Sequence, residues 1–138
     1  MILALLLAAL PNPKLTPGKA NPALTKAVIC AASFRTGKYR SVPESVKHKV
    51  CAEYGHGKGC PDGRFEIDHL ISLELGGSND IRNLWPQPYL PRPGAREKDV
   101  VESALHREVC AGRISLQNAQ RAIVKDWYSL YRKYARTH

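Results

Sequence analysis

Phe65-Glu66-Ile67-Asp68-His69-Leu70-Ile71-Ser72-Leu73-Glu74-Leu75-Gly76-Gly77-Ser78, with Asn83-Leu84-Trp85 soon after, is the stretch whose reading decides the fold. Phe65 to Asp68 alternates apolar and polar residues, as a half-buried strand does. Ile71 to Leu75 repeats the alternation and predicts a second extended stretch. Gly76-Gly77-Ser78-Asn79-Asp80 reads as a loop. At the end of the first strand, Asp68 sets a carboxylate beside the His69 imidazole, and Asn83 supplies an amide fourteen residues on. Such a set suits metal-assisted hydrolysis: a hard oxygen ligand for a cation, a base for water, and a group to aim the base.

Working outward, the flanks read mostly as helix. Pro43 opens a helix to about Tyr54, with Val46, Val50, Cys51 and Tyr54 at helical spacing. Thr25 to Phe34 is apolar enough for a short strand or helix. Downstream of Trp85, Pro86, Pro88, Pro91 and Pro93 predict an irregular connection. Gly94 or Ala95 then starts a helix to about Ala111, with the acids Glu97 and Asp99 in its first turn. Ser115 is placed to cap a last helix to about Tyr134, burying Ala119, Ile123, Trp127, Leu130 and Tyr134. Trp85 and Trp127 read as core anchors before they read as base-stacking platforms. There is no internal repeat. These elements predict an α+β domain over residues 25–138. Residues 11–24, rich in Pro, Asn and Gly, are expected to be an extended or disordered linker.

The bulk properties narrow the setting. The chain has 138 residues, 43% of them apolar, enough for one modest core, and carries a formal net charge of +9. Positive charge is clustered: six basic residues (Arg113, Arg121, Lys125, Arg132, Lys133 and Arg136) against one acid, Asp126, lie between Gly112 and His138. That balance suits a polyanion, nucleic acid first. Met1 to Leu10 is apolar and ends at Pro11, too short to span a membrane; it is expected to be an export signal truncated at its start. A secreted or periplasmic location and no stable membrane insertion follow. Four cysteines, none in CxxC spacing, give little support to a structural zinc site and fit two disulfides. Three connectivities are open; Cys30–Cys110 with Cys51–Cys60 is the expected one, the second clipping the glycine-rich loop Gly55–Gly63.

Taken in order, Glu66-Ile67-Asp68-His69-Leu70-Ile71, Leu73-Glu74-Leu75-Gly76-Gly77-Ser78-Asn79 and Asn83-Leu84-Trp85-Pro86 resemble the ββα-metal module of the HNH endonuclease family. Ala95-Arg96-Glu97-Lys98-Asp99, Glu102, Leu105-His106, Val109-Cys110-Ala111-Gly112, Ala119-Gln120 and Asp126-Trp127 extend the likeness toward a secreted or phage-borne branch. Ile29-Cys30, Tyr39-Arg40 and Tyr54-Gly55 fit it more loosely. The resemblance implies a ββα-metal core with flanking N-terminal and C-terminal helices. It also implies metal-dependent hydrolysis of DNA, with low sequence specificity and 5′-phosphate and 3′-hydroxyl products.

Under that resemblance His69 is the general base and Asn83 fixes its ring. Asp68 ligates a divalent metal, Mg²⁺ first, with Mn²⁺, Zn²⁺ or Ni²⁺ as alternatives. The family's third letter, a His or Asn at the start of the helix, is missing. Glu102, then His106, then Asp99, which share one face of the helix, are the expected replacements. Arg82, Arg92, Arg96 and Lys98 flank the motif and are expected to hold phosphates of double-stranded DNA. An inhibitor partner is left open. The alternative is a catalytically inactive ββα module that binds nucleic acid. A small secreted disulfide protein without nucleic acid is a third reading, opposed by the charge.

Overall fold

The alternation at Phe65-Glu66-Ile67-Asp68 does build a strand. In a computed structural model, which describes residues 10–57, 59–60 and 63–136, the chain is a mixture of helix and strand. Strand β1 (Phe65–His69) pairs antiparallel with β2 (Leu84–Pro88), setting Asp68 opposite Trp85 and His69 opposite Leu84. Among the described residues there are four α-helices: α1 (Lys26–Ile29), α2 (Glu44–Glu53), α3 (Ala95–Cys110) and α4 (Leu116–Ala135). The expected export segment, Met1 to Leu10, lies outside the described residues apart from Leu10, as do Lys58, Pro61 and Asp62 of the glycine-rich loop. Among the described residues no helix is long and apolar enough to cross a membrane.

Two expectations about the ribbon are corrected. Ile71 to Leu75 is no strand; Leu73–Leu75 is a 3₁₀ turn ending at Gly76 with φ +77°. The second strand instead comes from the proline-rich Leu-Trp-Pro-Gln-Pro segment. A two-stranded ribbon explains this, because each strand has a free edge. On the β2 side ladder bonds fall on odd-numbered residues: Tyr89 N–H donates to the Arg64 carbonyl and the Asn83 carbonyl accepts from Leu70 N–H. Pro86 and Pro88 share the even parity, so their nitrogens face away from β1.

Residues 11–24 are not a free linker either. Gly18 N–H donates to Arg82 O, Asn21 N–H to Gly76 O, and Ser78 N–H returns to Lys19 O. Thr16, buried, donates its hydroxyl to Leu84 O at 3.0 Å. The segment thus spends its backbone polar groups on the loop after β1, which is why it stays down.

Helix stripes make the core. Val101, Leu105 and Val109 repeat every four residues along α3, and Ala119, Ile123 and Trp127 do so along α4; all are buried, with Ile29, Ile71 and Leu75 packed in. Leu130 and Tyr134, expected on the buried face, lie beside this cluster half-buried. The Ser115 hydroxyl accepts from Asn118 N–H, as expected of an N-cap. Helix α4 is interrupted at Asp126 (φ −167°), whose carboxylate accepts from Ser129 N–H and its hydroxyl and so caps the second half. The disulfides are the expected pair, Cys30–Cys110 and Cys51–Cys60. The first spans 80 residues and joins the end of α1 to the end of α3. In chain-entropy terms a loop that long is worth about 4–5 kcal/mol.

The loop between the strands leaves no room at Gly77: a Cβ there would lie 1.7 Å from the Ile71 carbonyl oxygen, a backbone atom. Gly77→Ala should therefore cost about 3 kcal/mol or more in urea denaturation, while Gly37→Ala, which faces open space, should stay within about 0.5 kcal/mol of wild type.

Candidate active site

Asp68 and His69 end strand β1, and both line a cleft of about 170 Å³. Both are buried, at 6% and 5% exposure. Four further carboxylates line the same cleft, Glu66, Glu74, Asp99 and Glu102, together with one cationic side chain, Arg40. Burial pushes Glu66, Glu74 and Asp99 up from their ordinary pKa values, and for Glu66 and Asp99 the charge of Asp68 adds to it. The cleft holds more negative charge than its own cation neutralises.

Beneath it lies Lys98, fully buried. Its ammonium has three protons and three acceptors: the His69 carbonyl at 2.9 Å, Asp68 Oδ2 at 2.9 Å and Glu102 Oε1 at 2.6 Å. Burial opposes its charge, but Asp68 and Glu102 outweigh that and raise its pKa above the ordinary lysine value. Burial pushes the Glu102 carboxyl up from its ordinary range, against the pull of Lys98 and with the repulsion of Asp68. Trp85, opposite Asp68 on β2, donates its indole N–H to the same Oδ2 at 3.1 Å.

The imidazole is aimed by a different amide from the one expected. Asn83 is fully buried and spends its side chain on the loop: Oδ1 accepts from Ile71 N–H (2.9 Å) and Lys19 N–H (3.2 Å), and Nδ2 donates to Ile71 O and Ser78 O (2.9 Å each). It has no valence left for His69. Asn79 takes that place, its Oδ1 lying 2.8 Å from His69 Nε2. Asn79 Nδ2 donates to the Tyr39 carbonyl at 2.7 Å, which fixes the amide's orientation. An acceptor therefore faces Nε2, Nε2 carries the proton, and Nδ1 is the basic nitrogen of the neutral ring. Burial lowers the His69 pKa, against the Asn79 bond and the Asp68 charge.

The expected ligand and phosphate residues scatter. Asp68 and Glu102 do not share an open gap, since the cation between them is the Lys98 ammonium. Asp99 lines the cleft. His106 does not: its Nε2 lies 3.0 Å from the Ile29 carbonyl and 3.6 Å from Cys110 Sγ. Lys98 cannot meet a phosphate because it is buried and saturated. Arg82 is paired with Asp80, Arg92 with Glu97, and Arg96 lies 5.1 Å from the Tyr89 ring centre; none lines the cleft. Arg40 does, carried there by the turn at Thr36–Lys38. The loose fit of Tyr39-Arg40 to the family was its only signal in the sequence, and it came without a role.

The donors of the cleft bear on whether a divalent cation fits it. The cleft offers hard carboxylate oxygens and surplus negative charge, which fit Mg²⁺ or Mn²⁺ in kind. Among the described residues, however, the one group of three or more His, Cys, Asp or Glu donors within 4.8 Å of one another is Cys30, His106 and Cys110. The carboxylates are not already drawn together.

Lys98→Met should destabilise the fold by about 3–5 kcal/mol in urea, because Asp68 and Glu102 would stay buried without their cation. Ring ¹⁵N shifts should show His69 protonated at Nε2, with titration below its ordinary 6.5. An imidazole whose folded pKa is depressed binds fewer protons than in the unfolded chain, so its share of stability is present above pH 6.5 and lost as pH falls through that window. Asn79→Ala should mix the two tautomers.

Comparison with protein-family models, with curated proteins and with solved structures gives no match to this chain.

Proposed function

We propose that the chain is a nucleic-acid phosphodiester hydrolase of the ββα-metal kind, with His69 as general base. The single observation that carries this reading is the Tyr39–Asn79–His69 chain beside Asp68, which holds one ring nitrogen protonated and the other basic. His69 Nδ1 takes the proton from the attacking water. Asn79 stabilises the imidazolium that forms, by accepting from Nε2–H. Lys98 holds Asp68 and the His69 carbonyl in fixed relation, so the carboxylate and the base keep their spacing. Arg40 meets the substrate phosphate at the rim. Glu66, Asp68 and Asp99 are the residues that would hold a divalent cation, which when bound stabilises charge on the scissile phosphate and the leaving 3′ oxygen. The net charge of +9 draws a polyanion to the chain, and double-stranded DNA is the substrate we name first. Secretion fits the two disulfides.

The second reading, an inactive binding module, is favoured by one observation: a lysine ammonium already bridges Asp68 and Glu102. Plasmid nicking separates the two. With Mg²⁺ or Mn²⁺ the purified chain should cut supercoiled DNA, and EDTA should stop it. His69→Ala, checked for folding by circular dichroism, should lose about 10²–10⁴-fold in rate. Asn79→Ala should lose about 10–100-fold. Activity should fall on acidification only below pH 6.5, where His69 gains its proton. Salt-sensitive DNA binding without cleavage under any divalent cation would leave the binding module standing and end the hydrolase reading.

A further inference from the structure

The opposite end of α3 gathers a different kind of donor. His106 and Cys110 stand one turn apart on the helix, and Cys30, the cap of α1, meets them there. The His106 nitrogen and the two sulfurs lie within 4.8 Å of one another. While Cys30 and Cys110 are bonded to each other neither sulfur offers a thiolate, and the ring nitrogen instead lies 3.0 Å from the Ile29 carbonyl.

We propose that reducing Cys30–Cys110 turns this corner into a zinc-class metal site with Cys30, His106 and Cys110 as ligands. Two features argue for it. The donors are soft or borderline, the set zinc prefers, and the His106–Cys110 separation of four residues on a helix is a spacing at which paired zinc ligands occur. The second is position. The Cα atoms of Cys30 and Cys110 are 5.5 Å apart, and Cys110 ends a helix whose Leu105 and Val109 are locked in the core. Cutting the S–S bond therefore leaves the donors close.

The step balances. A dithiol reductant gives two electrons and two protons to the disulfide, yielding two protein thiols and the reductant's own disulfide. Zinc then displaces both thiol protons to solvent. The His106 ring moves its proton to Nδ1 and ligates through Nε2, and water fills the fourth position. The Cys30–Cys110 link between α1 and α3 is then covalent when oxidised and metal-bridged when reduced. This site is independent of the cleft and of any hydrolase activity.

The test uses the full chain, reduced with a dithiol and desalted without oxygen. Zn²⁺ should slow alkylation of Cys30 and Cys110 by about tenfold or more, read peptide by peptide in a mass spectrometer, and leave Cys51 and Cys60 unprotected. Co²⁺ in place of Zn²⁺ should give thiolate charge-transfer absorption in the reduced chain and none in the oxidised one. His106→Ala should weaken Co²⁺ binding by about tenfold or more. Equal protection of all four cysteines, no protection of any, or Co²⁺ binding indifferent to His106 would overturn the proposal.

Discussion

The buried ammonium of Lys98 is the contact on which the rest of this structure hangs. It sits where α3 crosses the end of β1, with one acceptor from the strand backbone, one from a strand side chain and one from its own helix. A bare ammonium in a protein interior would cost several kcal/mol, so burial is tolerable only with all three protons matched. The geometry it demands is narrow. Helix α3 must approach at the depth that brings Lys98 to the His69 carbonyl, and then the apolar stripe of Val101, Leu105 and Val109 meets α4. Position and packing are solved together. Replacing a buried ion pair by apolar residues of similar volume is often neutral for stability; here the joint also fixes the Asp68 carboxylate next to the His69 imidazole.

The loop between the strands does the complementary work from the other side. Asn83 satisfies four backbone groups and pulls Ile71 and Ser78 together, and Gly77 lets the backbone pass against Ile71. With those ends clamped, Asn79 projects back to His69 and forward to Tyr39. The segment 11–24 seals this loop by pairing with Gly76 and Ser78. One side of the imidazole is therefore fixed by a chain of backbone contacts that begins far upstream, and the carbonyl of the same residue by the helix downstream.

How much of this was legible follows from which signals are local. The strand at Phe65–His69, the helices capped near Gly94 and Ser115 and their buried stripes were readable, because periodicity and caps act over a few residues; the disulfide pairing is the expected one of three connectivities that the sequence left open, and Cys30–Cys110 joins residues 80 apart. The second strand was not, since prolines look like strand breakers until the partner's parity is known. The choice between Asn79 and Asn83 was equally closed. Both amides follow His69 within one loop, and only the turn at Gly76–Gly77 decides which returns to the ring. For Lys98 the pairing with Glu102 four residues on could be read, but its burial depends on where α3 meets β1. Arg40 reaches the cleft from a separate turn, and the loose fit of Tyr39-Arg40 to the family carried no role for it.

The cleft and the body of the protein carry opposite charge, and that contrast has consequences under the hydrolase reading. A body of net charge +9 attracts a polyanion from several Debye-screened ångströms away, yet the cleft it would enter is lined with five carboxylates and one arginine. A phosphate pressed into such a cleft meets repulsion at short range, where screening is weakest. Lys98 does not relieve it, because its charge is already consumed by Asp68 and Glu102. What remains is Arg40 and whatever cation the other carboxylates accept. The same acidity that resists substrate alone would favour substrate arriving with a divalent ion, since each would neutralise what the other cannot. Charge on the body then governs encounter, and charge in the cleft governs whether the encounter is productive.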